Sequence, residues 1–192
     1  NPSLENFAID NNSIIPELDF SQNNNLKSLA IPHIPAGGYI GDGGYISLSN
    51  LSQLEFLDIP YCNFDSIDLS NNTLLEEIRG QYNNFSSIEF SSNNINKALL
   101  CGNNISEIDV SSLESLVEFE ICENNLTSID LSNNTQLEFL RINSNNLQGT
   151  LDVSMLENLV LFVAYDNPNL TCVKVNQTQL DNINNGVFGT DW

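Results

Sequence analysis

The sequence predicts a mostly β solenoid of about eight turns, with two parallel sheets and little helix. Three observations carry this prediction: apolar and polar residues alternate over short segments, the segments recur at steps of about 21 residues, and Asn follows them at a fixed offset. The first apolar pair of each turn is Phe7/Ile9, Leu29/Ile31, Leu57/Ile59, Ile78/Gly80, Ala98/Leu100, Phe119/Ile121, Leu140/Ile142 and Phe162/Ala164. One continuous period indicates a single domain over residues 1–192.

A corner follows the first strand of each turn. Its Asn recurs at Asn83, Asn103, Asn124, Asn145 and Asn167, with steps of 20, 21, 21 and 22 residues. Cys62 takes the same position one turn before Asn83. An Asn amide can satisfy backbone groups where a chain turns, and Asn tolerates left-handed geometry.

A second short strand is expected in each turn, followed by a second corner. The strand segments are LDFS (18–21), ISLS (46–49), IDLS (67–70), IEFS (88–91), IDVS (108–111), IDLS (129–132), LDVS (151–154) and VKVN (173–176). Asn or Leu occupies the second corner, for example at Asn72, Asn93 and Leu113. One turn cannot bury both of its apolar edges alone, so the turns must stack and cover one another.

Two segments depart from the period. Residues 32–45 are rich in Gly and Pro and predict an irregular insertion loop, and residues 179–192 are not repetitive and are candidates to cover the final turn. No capping unit opens the chain, so we expect it to be a piece of a longer protein.

The repeat resembles the leucine-rich repeat family. The family pattern L-x-x-L-x-L-x-x-N/C-x-L is matched by Leu137, Leu140, Ile142, Asn145 and Leu147. The chain is most similar to the nested 21-residue bacterial class called IRREKO, because LTSIDLSNN (126–134) supplies the second half of that unit. The closing NPNLTCVKV (167–175) is similar to secreted flavobacterial repeat proteins. The resemblance implies a bacterial leucine-rich-repeat solenoid.

The composition excludes two classes of partner. The chain has 25 acidic residues against 5 Lys and Arg, a formal net charge of −20. Binding of nucleic acid or of anionic lipid depends on Lys and Arg, so we expect no nucleic-acid partner and no binding to a membrane surface. No run of about 18 apolar residues exists, which predicts no membrane insertion. The charge favours a soluble protein at a cell surface or in the extracellular medium.

A column of acidic residues and a column of Ser run along the second strands. The first comprises Asp19, Ser47, Asp68, Glu89, Asp109, Asp130, Asp152 and Lys174. It is interpreted as a solvated face, with a cation-binding face as the alternative, because calcium sites usually gather several ligands from one loop. The Ser column that follows is interpreted as turn chemistry, with an ice-ordering array as the alternative.

The outward positions of the first strands vary from turn to turn, in contrast to the second strands. Mixtures of aromatic, apolar and Arg side chains are enriched at protein interfaces, so this sheet is the candidate binding surface. The two Arg have Glu77, Glu118 and Glu120 as possible local ion-pair partners. The candidate binding residues are Phe56, Asp58, Tyr61, Arg79, Tyr82, Leu99, Glu120, Phe139, Arg141, Val163 and Tyr165.

Four Cys occur, too few and too widely spaced for a disulfide scaffold or a zinc site. Cys101 and Cys122 occupy equivalent positions on adjacent turns. Neighbouring strands lie about 4.8 Å apart, which suits a disulfide, so a bond between these two Cys is a hypothesis. Cys62 is predicted to be a buried structural thiol and Cys172 a free one.

No catalytic constellation is apparent. The one His, His33, falls in the insertion loop, and neither a nucleophile elbow nor metal-ligand spacing appears. We therefore expect no enzyme, no cofactor and no metal site. The leading hypothesis is a secreted or cell-surface module that binds a protein, or secondly a polysaccharide, in recognition or adhesion. The alternative is a structural spacer of a larger surface protein, and the sequence specifies neither the ligand nor the oligomeric state.

Overall fold

A computed structural model of the chain describes residues 1–10, 18–33 and 46–184, and ten strands and one helix form within them. The strands are β1 (Asn6–Ala8), β2 (Ser28–Ala30), β3 (Phe56–Asp58), β4 (Glu77–Arg79), β5 (Lys97–Leu99), β6 (Glu118–Glu120), β7 (Phe139–Arg141), β8 (Gln148–Asp152), β9 (Leu161–Val163) and β10 (Asn169–Lys174). The helix is α1 (Gln177–Asn184). Most of the predicted insertion loop, residues 34–45, lies outside the described residues, as do residues 185–192.

The predicted first strands form one parallel sheet of eight strands, in the order β1-β2-β3-β4-β5-β6-β7-β9. Its central register runs through Phe7, Leu29, Leu57, Ile78, Ala98, Phe119, Leu140 and Phe162. These are the first members of the apolar pairs found in the sequence. The mostly β solenoid with two parallel sheets and little helix is therefore confirmed.

The second sheet has two parallel strands, β8 and β10. The equivalent segments of the other described turns form no strand, although Leu69, Val110 and Leu131 in them are buried. In these segments the Asp between the two apolar residues accepts a hydrogen bond from the backbone N–H of the Ser two residues later. The segment at β8 is longer by one residue, because Val153 is six positions after Leu147, whereas Leu131 is five positions after Leu126.

Asn side chains at the first corner tie consecutive turns together. Asn124 donates from Nδ2 to the carbonyl oxygens of Leu100 in the preceding turn and Ile121 in its own turn, at 3.0 and 3.3 Å. Its Oδ1 accepts from the backbone N–H of Ile105 at 2.9 Å. Asn carries both a donor and an acceptor, so one side chain satisfies buried backbone groups of two turns. The pattern recurs at Asn83, Asn103, Asn145 and Asn167.

Cys62 substitutes for Asn at one first corner. It is buried, and its Sγ donates to the carbonyl oxygen of Ile31 in the preceding turn at 3.1 Å. The Sγ donor thus takes the role that the amide Nδ2 donor of Asn has at the other first corners.

At the second corner, an Asn or Gln side chain hydrogen-bonds to the backbone of the preceding turn when the corner residue of that turn is Leu. Asn134 Nδ2 donates to the carbonyl oxygens of Val110 and Leu113, both at 2.9 Å. In α1, the buried side chain of Gln179 donates from Nε2 to Val153 and Leu156 at the same distances. The helix thus satisfies the backbone of the preceding turn as Asn134 does, which explains how a non-repetitive segment covers the array.

The turn containing β4 departs from the sequence prediction at its second corner. Ser92 is buried there and its hydroxyl donates to the carbonyl oxygen of Leu75 at 2.7 Å, whereas Asn93 is exposed. The prediction of Asn93 at this corner is wrong because Ile88 and Ile95 are seven residues apart, one fewer than Ile67 and Leu75. The shorter turn brings the preceding residue to the corner.

Candidate functional site

The outward side of the eight-stranded sheet is the surface that varies along the solenoid. Each strand has three residues, of which the middle one points inward and the other two point outward. We call these outward side chains of β1–β7 and β9 the sheet face. Its residues are Asn6, Ala8, Ser28, Ala30, Phe56, Asp58, Glu77, Arg79, Lys97, Leu99, Glu118, Glu120, Phe139, Arg141, Leu161 and Val163.

Ion pairs neutralise the basic side chains of the sheet face. Arg79 Nε lies 2.6 Å from Glu77 Oε1 on the same strand. Across strands, Lys97 Nζ lies 2.6 Å from Glu118 Oε2, and Arg141 Nε lies 3.0 Å from Glu120 Oε1. The strands of the sheet face carry four carboxylates and three cations, a formal charge of −1 in a chain of −20. The sheet face is therefore almost neutral within a strongly acidic protein.

Phe56, Asp58 and Arg79 form a cluster near the first turns. The Arg79 guanidinium carbon lies 5.2 Å from the centroid of the Phe56 ring, within the range of a cation–π contact. Burial raises the pKa of the Asp58 carboxyl, and the Arg79 charge opposes that rise. These three predicted binding residues are brought together and are half-buried.

Leu99 does not contribute the exposed surface that the sequence predicts. Its side chain is only 8% exposed, although it is on the outward side of β5. The register places it between Arg79 on β4 and Glu120 on β6, whose side chains are longer than that of Leu. A short apolar side chain between two longer ones is shielded, so Leu99 serves as packing beneath the ion pairs.

A ridge of left-handed residues borders the sheet face where each strand leads into the first corner. The ridge comprises His33, Tyr61, Tyr82, Gly102, Glu123, Ser144 and Asp166, with φ values between 53° and 72°. Six of these seven are not Gly, an uncommon backbone state for such residues. The repeat imposes the conformation, and the side chains project along one line.

Three aromatic rings stack along the ridge. The ring centroids of His33 and Tyr61 are 4.8 Å apart, and those of Tyr61 and Tyr82 are 4.5 Å apart, with interplanar angles of 9° and 14°. A Cβ atom at Gly102 would lie 2.4 Å from the Tyr82 ring, so the absence of a side chain there lets the ring lie over the backbone. Tyr61 and Tyr82 remain 47% and 39% exposed.

Glu123, on the same ridge, acts on Tyr82. The Glu123 carboxylate raises the pKa of the Tyr82 hydroxyl through its negative charge, with a further contribution from burial. Both Tyr residues are among the predicted binding residues, but the sequence did not indicate the ridge itself, for which Gly102 in the same column was the available signal.

A second apolar group lies at the other end of the sheet. Phe139 on β7 is paired in register with Leu161 on β9, and Arg141 is paired with Val163. Tyr165 follows two residues after Val163. Phe139 and Tyr165 are 36% and 38% exposed. The near-neutral ion pairs thus lie between two groups that contain exposed aromatic side chains.

Cys101 and Cys122 are joined by a disulfide, with their Sγ atoms 2.08 Å apart and their Cα atoms 4.5 Å apart. The bond links the turns of β5 and β6 next to the aromatic ridge, since Gly102 follows Cys101 directly. Cys172 is an exposed thiol on β10. The cross-turn bond fixes the spacing of two neighbouring outward positions.

The acidic column of the second half makes turns. Asp109 Oδ1 accepts from the backbone N–H of Ser111 at 2.9 Å, and four further Asp-Ser pairs repeat this geometry. Hydrogen bonds from the Ser amide and hydroxyl lower the pKa of Asp19, Asp68, Asp109 and Asp130. For Asp152, hydrogen bonds from Lys174 and then Ser154 lower the pKa to about 2. The regular Asp and Ser positions thus have a structural role.

A cleft of about 410 Å³ opens on this acidic side, beside the shortened turn. It is lined by Ser87, Ile88, Glu89, Phe90, Glu107, Ile108, Asp109 and Ser112. The cleft is separate from the sheet face and contains none of the predicted binding residues. Within the described ranges, no helix has the length and apolar character needed to cross a membrane.

Comparison with known proteins identifies the fold. No known family profile and no curated protein matches the chain. The functional domain of InlJ from Listeria monocytogenes, which includes a cysteine ladder, has a TM-score of 0.71 at 23% identity, over 92% of this chain and 44% of that one. A leucine-rich repeat protein from Leptospira interrogans has a TM-score of 0.73 at 15% identity, over 89% and 45%.

A plant protein shows the same architecture. The leucine-rich-repeat ectodomain of the Arabidopsis thaliana receptor kinase GASSHO1/SCHENGEN3, in complex with CASPARIAN STRIP INTEGRITY FACTOR 2, has a TM-score of 0.61 at 23% identity, over 80% of this chain and 19% of that one. The chain spans less than half the length of each of these three proteins. It therefore has the leucine-rich-repeat fold, similar to that of bacterial leucine-rich repeat proteins.

Proposed function

We propose that this chain is a recognition module whose sheet face and aromatic ridge bind a protein ligand. We further propose that it belongs to a bacterial protein secreted or displayed at a cell surface, where it mediates recognition or adhesion. A protein is the preferred ligand and a polysaccharide the second.

The contrast in charge and composition between the sheet face and the rest of the chain carries the proposal. The strands of the sheet face carry a formal charge of −1, against −20 for the chain. A ligand that covers the sheet face therefore removes few unpaired charges from water, which would be costly. Exposed aromatic residues and Arg are enriched in protein interfaces. Phe56, Arg79, Tyr82 and Phe139 provide these types on one side of a rigid sheet.

Two further observations support the proposal. The plant ectodomain of the same fold was solved with a bound protein factor, and it belongs to a membrane receptor. The disulfide between Cys101 and Cys122 suits an oxidising extracellular compartment, since disulfides are rare in the cytosol. The charge of −20 continues to disfavour nucleic acid and anionic membranes as ligands.

Alanine substitution of the sheet face and ridge tests the proposal. Arg79→Ala, Tyr82→Ala and Arg141→Ala, combined in one variant, are expected to abolish capture of a partner from the culture supernatant by the immobilised protein. The partner is identified by mass spectrometry against uncoated beads. Tyr and Arg are enriched among the few interface residues whose truncation costs about 2 kcal/mol or more, so the combined loss is expected to exceed about 100-fold.

A matched triple variant controls for general effects of substitution. Glu107→Ala, Glu114→Ala and Glu157→Ala lie outside the sheet face, are exposed, and should leave capture unchanged. Circular dichroism must show intact folding for both variants. Equal capture by the wild type and the variant at Arg79, Tyr82 and Arg141 would contradict the proposal and favour the structural spacer.

A further inference from the structure

The cationic side chains of this chain are paired with its own carboxylates. All 5 Lys and Arg residues are engaged in ion pairs with carboxylates of the same chain. Lys27 pairs with Glu5 at 3.3 Å and Lys174 with Asp152 at 2.7 Å, in addition to the three pairs of the sheet face. Within the residues that the structure describes, no Lys or Arg is left without a carboxylate partner.

Unpaired carboxylates border the sheet face on both sides. Glu55, Glu76 and Glu138 immediately precede β3, β4 and β7, and all three are exposed. Glu123 and Asp166 are exposed on the opposite border, along the left-handed ridge. Within the described part of the chain, no Lys or Arg forms an ion pair with any of these five, which we call the rim carboxylates.

This arrangement has the general plan of a protein interface, with a central region of low net charge and a polar rim. The charges of the rim that lack an ion-pair partner have one sign only, because Lys27, which precedes β2 at the equivalent position, pairs with Glu5. A partner that presents Lys or Arg around a neutral or apolar centre is attracted at long range and paired at the rim, whereas an acidic partner is repelled. A second copy of this chain, itself at −20, is also repelled.

We propose that the ligand of the sheet face is a cationic protein segment, whose Lys or Arg side chains pair with the rim carboxylates. This inference rests on the proposed function, because it names the partner class of the same surface. The sheet face supplies contact area through Phe56, Phe139 and the ridge. The rim carboxylates supply charge selectivity and fast association.

A defined peptide tests the charge preference by site. N-acetyl-octalysine is titrated into the isotope-labelled protein at 0.15 M salt, with N-acetyl-octaglutamate as the opposite-charge control, and the amide resonances are followed by NMR. Octalysine is expected to shift amides of β3, β4 and β7 and of the ridge near Glu123, and octaglutamate to shift none. Shifts confined to the acidic cleft lined by Glu89, Glu107 and Asp109 would overturn the inference, as would no binding of octalysine.

Two variants of equal net charge separate the rim from the acidity of the whole chain. Glu55→Gln, Glu76→Gln and Glu138→Gln together remove three rim charges and should raise the Kd for octalysine about tenfold. Glu107→Gln, Glu114→Gln and Glu157→Gln remove three exposed charges outside the rim, and the Kd should change by less than about twofold. Equal effects of the two variants would overturn the inference, because attraction would then follow total charge.

The proposed function and the inference fail in different ways. If the alanine variant at Arg79, Tyr82 and Arg141 still captures the partner, the sheet face is not the binding surface. If that variant loses capture while the Gln variant at Glu55, Glu76 and Glu138 keeps full affinity for the captured partner, the surface stands and its cationic selectivity is refuted.

Discussion

Replacing Gly102 by Ala tests whether the aromatic ridge is held by backbone geometry. Gly102 has φ of +72°, and a Cβ there would lie 2.4 and 2.6 Å from two carbons of the Tyr82 ring. Real Cβ atoms do not approach so closely, so the ring must leave its position over the backbone. Displacing it also breaks its contact with the Tyr61 ring, whose centroid is 4.5 Å away.

Gly149→Ala is the matched control. Gly149 has nearly the same backbone, with φ of +69°, and a Cβ there meets nothing within 4 Å. Both variants pay the cost of a left-handed residue with a side chain, about 1–2 kcal/mol. Only Gly102→Ala also loses an aromatic contact, worth about 0.5–1.5 kcal/mol. We therefore expect a loss in the free energy of unfolding of about 1–2 kcal/mol for Gly149→Ala and about 1.5–3.5 kcal/mol for Gly102→Ala.

Urea unfolding followed by circular dichroism measures the two losses, provided that the slope of the free energy of unfolding against urea concentration is unchanged.

A second measurement reports on the position of the Tyr82 ring. The Glu123 charge raises the pKa of the Tyr82 hydroxyl, so ultraviolet titration of Gly102→Ala should show one Tyr ionising at lower pH than in the wild type. Equal destabilisation by the two substitutions, with an unchanged Tyr titration, would refute the argument that Gly102 positions the ring.

Three further predictions concern the elements that hold the turns together. Asn124→Ala should lower the free energy of unfolding by about 1–3 kcal/mol, because buried backbone groups of two turns lose their hydrogen-bond partners. Asn125 is the exposed neighbour, so Asn125→Ala should lower it by less than about 0.5 kcal/mol, and calorimetry on both variants checks this difference. The folded-state pKa of Asp152 is about 2, below its unfolded value of about 3.9. The ionised Asp152 therefore contributes fully to the free energy of unfolding above pH 5, and this contribution disappears as the pH falls towards 2. The difference in free energy of unfolding between the wild type and Asp152→Asn should vanish over the same pH range. Alkylation of the unfolded, unreduced protein should modify two of the four Cys, because Cys101 and Cys122 are bonded to each other. Reduction should make all four thiols available and lower the free energy of unfolding by about 3 kcal/mol, the value expected for a closed loop of 21 residues. Four modified thiols without reduction would exclude the bond.

The sheet was predictable because its register follows from side-chain spacing alone. An apolar residue at Phe119 must be aligned with Leu140 in the next turn if both are to be buried, and a slip of one residue would turn them outward. The same logic placed Cys101 beside Cys122. Neither inference requires knowledge of the neighbouring side chains.

Features that depend on neighbours were not predictable in this way. Leu99 has the same column position as Arg79, and only the lengths of the flanking side chains decide that it is buried. Ser92 replaces Asn93 at the second corner because one residue is missing from that turn. No residue propensity assigns left-handed geometry to Tyr61 or Tyr82.

The ridge shows why variation in surface chemistry is confined to particular columns of this solenoid. Corner residues such as Asn124 must satisfy the same backbone groups in every turn, and Asp109 must accept from the same amide as its equivalents do. Their chemistry is therefore fixed by folding. A left-handed position makes a demand on the backbone only, so its side chain can be Tyr82 in one turn and Glu123 in another. Because that column borders the sheet face, the side-chain chemistry of this border can change from turn to turn without changing how the turns stack.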